Sequence, residues 1–179
     1  VSIGPPEQYE MKHARISMMG TAFNAAVGNC LLKAEFAWFD GLKFYNDAEK
    51  TYSRTDVFAG IEYSGFQDTT ISAEAVNRHI INFVDFLEDA PDEANENEYQ
   101  SVVKLKRHFL NETLTITLLA STFGETGQDG AFQRFVGEYD VTDAVKVIAG
   151  AVFYQSGDLA RFRNVEDNDR LFLEIRYSF

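Results

Sequence analysis

The sequence predicts an all-β chain: an antiparallel up-and-down transmembrane β-barrel, with about eight to nine strands present and belonging to a larger barrel. Three observations predict it. Side chains alternate between apolar and polar along most of the chain, the period of a strand with two unlike faces. Most alternating segments run about 9–13 residues; ordinary globular strands average about 5–6, and a tilted strand crossing a bilayer needs about 9–11. The connections are alternately short and long, as in bacterial barrels with short periplasmic turns and longer outer loops.

Each element follows from its own alternation. The first and weakest strand spans about residues 15–23, with Ile16, Met18, Gly20 and Ala22 on one face. In the second, Leu32, Ala34, Phe36 and Trp38 alternate with Lys33, Glu35 and Ala37. In the third, Val57, Ala59, Ile61 and Tyr63 oppose Phe58, Gly60, Glu62 and Ser64. The fourth sets Ile71, Ala73 and Ala75 against Ser72, Glu74 and Val76. The fifth sets Val103, Leu105 and Phe109 against Lys104, Lys106 and His108. In the sixth, Leu114, Ile116, Leu118 and Ala120 oppose Thr115, Thr117, Leu119 and Ser121. Gln133, Phe135, Gly137 and Tyr139 alternate with Arg134, Val136, Glu138 and Asp140 in the seventh. The eighth pairs Val145, Val147, Ala149, Ala151 and Phe153 with Lys146, Ile148, Gly150, Val152 and Tyr154. The last is the clearest: Leu171, Leu173, Ile175, Tyr177 and Phe179 on one face, Phe172, Glu174, Arg176 and Ser178 on the other.

Connections 24–29, 65–68, 110–113 and 141–143 read as short, and 40–53, 81–97, 124–130 and 156–167 as long. With the C-terminus in the periplasm, every long connection falls outside the cell. The 81–97 loop is the long extracellular one. It holds most of a run of acids (Asp85, Glu88, Asp89, Asp92, Glu93, Glu96, Glu98) without a base, which suits a solvated loop. A sharper alternative is contact with divalent cations or sugar head groups, although the spacing fits no EF-hand. Ile80, Phe83, Val84 and Leu87 have helical spacing, so the expectation is a strand followed by a short helical turn in the loop.

Composition sets the outer bounds. The 179 residues carry 28 acids and 16 bases, a net charge of −12, with 45% hydrophobic residues. That excess of acid argues against nucleic acid as a partner, which needs a basic face. One cysteine, Cys30, permits neither an internal disulfide nor a multi-thiolate zinc site. No run of about 18 apolar residues is present, so no transmembrane helix is expected. The opening Val1-Ser2-Ile3-Gly4-Pro5-Pro6 has neither a start methionine nor a signal peptide, so a processed chain or a piece of a longer one is expected.

An aromatic last residue, Phe179, on an amphipathic last strand with Leu173, Ile175 and Tyr177, resembles the signal by which the barrel-assembly machinery engages outer-membrane proteins. Longer stretches carry a closer resemblance. These are Gly60-Ile61-Glu62-Tyr63-Ser64-Gly65-Phe66-Gln67-Asp68-Thr69-Thr70-Ile71-Ser72, Gly127-Gln128-Asp129-Gly130-Ala131-Phe132-Gln133-Arg134 and the final Asp167 to Phe179. Together they resemble the C-terminal part of the proteobacterial outer-membrane proteins catalogued as domain of unknown function 1302. The resemblance covers about residues 54–179. It implies a large barrel in the outer membrane of a Gram-negative bacterium, a periplasmic partner protein and an inner-membrane exporter of hydrophobic compounds. It implies no catalytic residues. Members are considerably longer than this chain, so residues 1–179 are expected to be one segment, the C-terminal portion of a larger barrel. A nine-strand count is odd, whereas single-chain bacterial barrels have even counts, which favours the same reading.

Chemistry is thin. His13, His79 and His108 show no metal-ligand spacing, no G-x-S-x-G is present, and no cofactor, metal or catalytic residue is expected. The functional candidates are lumen-facing charges: Lys33, Glu35, Glu62, Glu74, Arg78, Lys104, Lys106, Arg134, Glu138, Lys146, Glu174 and Arg176. They either pair across strands to hold the wall or line a water-filled path. Aromatics near strand ends (Trp38, Phe39, Tyr63, Phe66, Phe109, Tyr139, Phe153, Tyr177) fit interface girdles. Arg107 falls on the lipid face, but near a turn, at head-group level. The expected function is a channel or transporter part for hydrophobic or lipid-like compounds. The alternatives are a structural surface barrel without transport and a soluble, lipocalin-like barrel.

Overall fold

The computed structural model describes residues 14–179; His13 and the opening Val1–Pro6 stretch lie outside the described residues. Nine strands form one antiparallel sheet in sequence order. They are β1 (Ser17–Val27), β2 (Cys30–Leu42), β3 (Tyr52–Phe66), β4 (Thr69–Ile81), β5 (Asn97–Phe109), β6 (Leu114–Phe123), β7 (Gly130–Thr142), β8 (Val145–Gln155) and β9 (Arg170–Tyr177). Only short 3-10 turns interrupt the connections, at Asp85–Leu87, Ala160–Phe162 and Glu166–Asn168. The turn at Asp85–Leu87 follows strand β4, in the order the apolar spacing predicts.

The all-β, up-and-down reading is therefore the observed architecture. Among the described residues the sheet does not close: β1 pairs only with β2, and β9 only with β8. Connections 28–29, 67–68, 110–113 and 143–144 lie at one end of the sheet, and 43–51, 82–96, 124–129 and 156–169 at the other. The short and long alternation holds throughout.

Several boundaries differ from the expectation by two to four residues, the first three strands among them. β1 continues through Asn24 to Val27, because Ala25, Ala26 and Val27 pair with Leu32, Leu31 and Cys30 across a two-residue turn. Gly28 occupies that turn at φ 58°, the left-handed conformation such a tight reversal demands. β2 extends to Leu42 through a bulge at Gly41, and β3 starts at Tyr52, so the second connection is shorter than expected.

Among the described residues no globular core forms. Among the described residues, the buried hydrophobic side chains are Tyr52, Ile80, Leu87, Phe123, Ala131, Val136, Ile148 and Phe162. Tyr52, Ile80 and Leu87 form one small cluster at the long-loop end, with Leu42, Phe44, Phe83, Val84 and Ala94 packed around it. Two-faced strands in a single layer leave nothing to bury the second face against.

Candidate functional site

Directly paired residues in an antiparallel ladder point to the same side of the sheet, so the register assigns every strand residue to a face. Following it from β1 to β9 puts all twelve expected lumen charges, Lys33 through Arg176, on one face. Arg54, Asp56, Glu98, Asp140 and Arg170 share that face. The same alternation marks these five, but most of them lie where strands run into connections, and there the pattern blurs.

The opposite face is apolar. Among the described residues, its only charged strand residues are Asp40 and Arg107, both near strand ends. Its large side chains are open to the surroundings: Phe23 is 62% exposed, Val103 53% and Leu173 70%. Leu173, Ile175 and Tyr177 of the expected insertion signal lie on this face, and Phe179 follows them, its ring 6.4 Å from that of Tyr177. Tyr63, Phe66, Phe109, Tyr139 and Tyr177 mark the apolar face at its short-turn end, and Trp38, Tyr99 and Phe153 at its long-loop end. Phe39 departs from the expected girdle. It pairs with Met18 and Arg54 on the charged face, where the Arg54 guanidinium lies 4.8 Å from its ring centre. Arg107 sits on the apolar face near the 110–113 turn, over the Phe109 ring at 5.0 Å.

Most charges on the polar face are paired. At the long-loop rim a chain of alternating sign crosses three strands. Arg54 grips Asp56 at 2.7 and 3.0 Å. Arg78 approaches Asp56 at 4.0 Å and Glu98 at 3.5 Å. Arg161, from the β8–β9 connection, closes on Glu98 at 2.6 Å. Further down, Lys33 on β2 reaches Glu74 on β4 at 3.2 Å. The strand between them presents Gly60 at that level, and a Cβ there would lie 3.1 Å from the Glu74 side chain. Lys146 lies 3.5 Å from Glu138 and 3.4 Å from Asp140; Arg176 holds Glu174 at 2.9 Å. Register aligns Lys104 with Leu119, and Lys106 with Thr117. Among the described residues, Lys104, Lys106, Arg134 and Arg170 have no carboxylate within 4.0 Å.

The acidic loop folds over this face. Leu87 is fully buried there. Asp92 accepts the backbone N–H groups of Tyr45 and Asn46 at 2.9 and 2.6 Å, and Asn46 donates to the Phe86 and Asp89 carbonyls. Glu93 receives Arg163 at 2.8 Å. Two of the loop's acids, Asp92 and Glu93, thus hold neighbouring loops through their carboxylates, and among the described residues no group of three or more His, Cys, Asp or Glu has metal-site geometry. In the 124–129 connection, burial pushes the Asp129 carboxyl above its usual range; nearby Asp158 and Glu98 add to the rise, and Arg161 opposes it. A cavity of about 250 Å³ lies under the loops, among Arg54, Arg78, Glu98 and Arg161.

The two described histidines do not converge. His108 on the charged face meets Thr115 at 3.0 Å, and His79 on the apolar face meets Asn97 at 3.2 Å. Ser101 points to the apolar face and bonds Thr122 at 2.7 Å, away from His108. Comparison with known protein families, curated proteins and solved structures finds no match to this chain.

Proposed function

We propose that the chain forms part of the wall of a larger outer-membrane β-barrel in a Gram-negative bacterium, a channel or transporter part for hydrophobic or lipid-like compounds. One observation carries the membrane half: nine strands share an exposed apolar face with charge only near its ends, and a charged opposite face. Monomeric soluble proteins rarely expose apolar patches beyond a few hundred Å². A lipocalin-like barrel would hold the reverse arrangement, apolar within and polar without.

The two open edges support membership of a larger barrel. In lipid each unsatisfied backbone group costs several kcal/mol, so β1 and β9 need neighbouring strands. The charged face then lines the wet interior, with its charges mostly paired to hold the wall. The transport half rests on the resemblance of residues 54–179, as do the periplasmic partner and inner-membrane exporter. Outer-membrane lipid and the barrel-assembly machinery are the remaining partners.

Detergent dependence tests the membrane half: a chain that stays monodisperse without detergent is no membrane barrel. A heat-modifiable monomer of the chain alone that closes its own barrel, β1 against β9, would contradict the larger barrel. Unchanged accumulation and efflux of apolar compounds in a deletion strain would leave a structural barrel without transport.

A further inference from the structure

The charged face is not uniform. One row across it reads Lys104, Leu119, Arg134, Val152, Arg170 from β5 to β9, with cations alternating with apolar residues. None of these three cations has a carboxylate within 4.0 Å among the described residues, unlike the paired charges of the rim. Two of them, Arg134 and Arg170, open into one cavity of about 570 Å³, framed by Phe132, Tyr154, Phe162 and Phe172. That volume falls in the usual range of small-molecule sites, about 300–1,000 Å³.

Each guanidinium lies beside an aromatic ring. Arg134 lies 5.5 Å from the Phe172 ring centre, and Arg170 lies 5.4 Å from that of Tyr154. Arg170 also donates to the Tyr154 hydroxyl at 2.5 Å. Contact with the rings restrains each fork and leaves most of its five N–H donors for a further acceptor. Glu174 lines the cavity, but Arg176 engages its carboxylate at 2.9 Å. Residue 150 is glycine, and a Cβ there would collide with the Phe172 ring, so its absence lets that ring form the cavity wall.

Two unpaired planar cations facing a cavity walled by aromatic rings suit a particular ligand. We propose that this cavity binds the acidic head group of an amphiphile, with the head between Arg134 and Arg170 and the apolar body against Phe132, Phe162 and Phe172. This deepens the transport reading and rests on it for the wet environment of the charged face. It assigns the substrate class as single-headed apolar anions.

The test is binding of dansyl-undecanoic acid, its methyl ester and the corresponding amine to the full chain, followed by dansyl emission above protein-free dodecyl maltoside micelles. If the chain proves soluble, the same comparison is made in buffer. The acid binds at least about tenfold more tightly than ester or amine, because only it accepts charge-assisted hydrogen bonds from the two forks. Arg134→Gln and Arg170→Gln each remove most of that preference and leave ester binding unchanged. Ester or amine binding as tight as the acid in the unaltered chain overturns the proposal. So does an acid preference that survives both substitutions. The outcome separates from the barrel reading: a detergent-dependent chain without acid preference loses only the cavity. A chain monodisperse without detergent that still prefers the acid loses only the barrel.

Discussion

Val102 and Val103 are adjacent in β5 and point to opposite faces, so lysine at each gives a matched pair of perturbations. Strand β5 has 13 residues, and Val103 is the central one. Six residues on either side, at about 3.4 Å each, reach about 20 Å along the strand; a tilt of about 40° reduces this to about 15 Å along the membrane normal. An apolar band about 25 Å tall is therefore bisected near Val103. Its partners there are Ala73 and Ala120, and the face offers no acid near them. Lysine at position 103 has room but no partner, so the cost is one of solvation, about 2–4 kcal/mol at the midplane. Val102 pairs with Glu74 and Ser121, so lysine there meets a carboxylate and water and costs less than about 1 kcal/mol. Guanidinium unfolding of Val103→Lys and Val102→Lys in micelles, followed by Trp38 emission, measures both. Equal costs, or a larger cost at 102, would refute the assignment of faces. Arg107 fits the same geometry. Four residues from the centre, it sits about 10 Å from the midplane, where a basic residue costs about 0–1 kcal/mol.

The remaining expectations concern the rim and the pairs on the charged face. Leu87→Ala empties a fully buried position and should cost about 2–5 kcal/mol, with faster proteolysis within 82–96; an unchanged cleavage rate would mean that the loop is not anchored there. Gly60→Val crowds the Glu74 side chain and should cost about 1–3 kcal/mol, and less in a Glu74→Ala background; strictly additive costs in a double-mutant cycle would deny that the Lys33–Glu74 pair passes over Gly60. Asp129 has a raised carboxyl pKa in the fold, so the folded state holds its proton more tightly than the unfolded chain, and its charged form is destabilising at neutral pH. Asp129→Asn should therefore raise the melting temperature slightly at pH 7, and the gain should vanish as pH falls below the ordinary aspartate range. A gain that grows on acidification would reverse the sign and reject the burial argument.

Strands and faces were legible because they are local. The alternation in Leu171 to Tyr177, or in Val145 to Tyr154, needs no partner to be seen, and turn-forming residues such as Asn111 and Asp143 mark where it stops. Alternation fails where small residues blur it. Ala25 and Ala26 suit a turn or a strand, and pairing with Leu31 and Leu32 decides the matter. Gly41 lets β2 bulge and continue to pair with β3 back to Tyr52, which puts Arg54 and Asp56 further inside the strand than the pattern suggested. The rim was hidden for a different reason. Tyr52, Ile80 and Leu87 come from separate segments, as do Arg161 and Glu98, and no periodicity links residues so far apart. Phe39 follows the alternation onto the charged face; its place near a strand end and its aromatic ring had suggested a girdle.

The central claim is that the apolar face meets hydrocarbon and the charged face meets water. Trp38 is the chain's single tryptophan, and it lies on the apolar face of β2. Its fluorescence in micelles therefore reports that face alone. Brominated dodecyl maltoside should quench it strongly, and aqueous iodide should leave it nearly unchanged. Strong quenching by iodide with none by the brominated detergent would put that face in water and contradict the account.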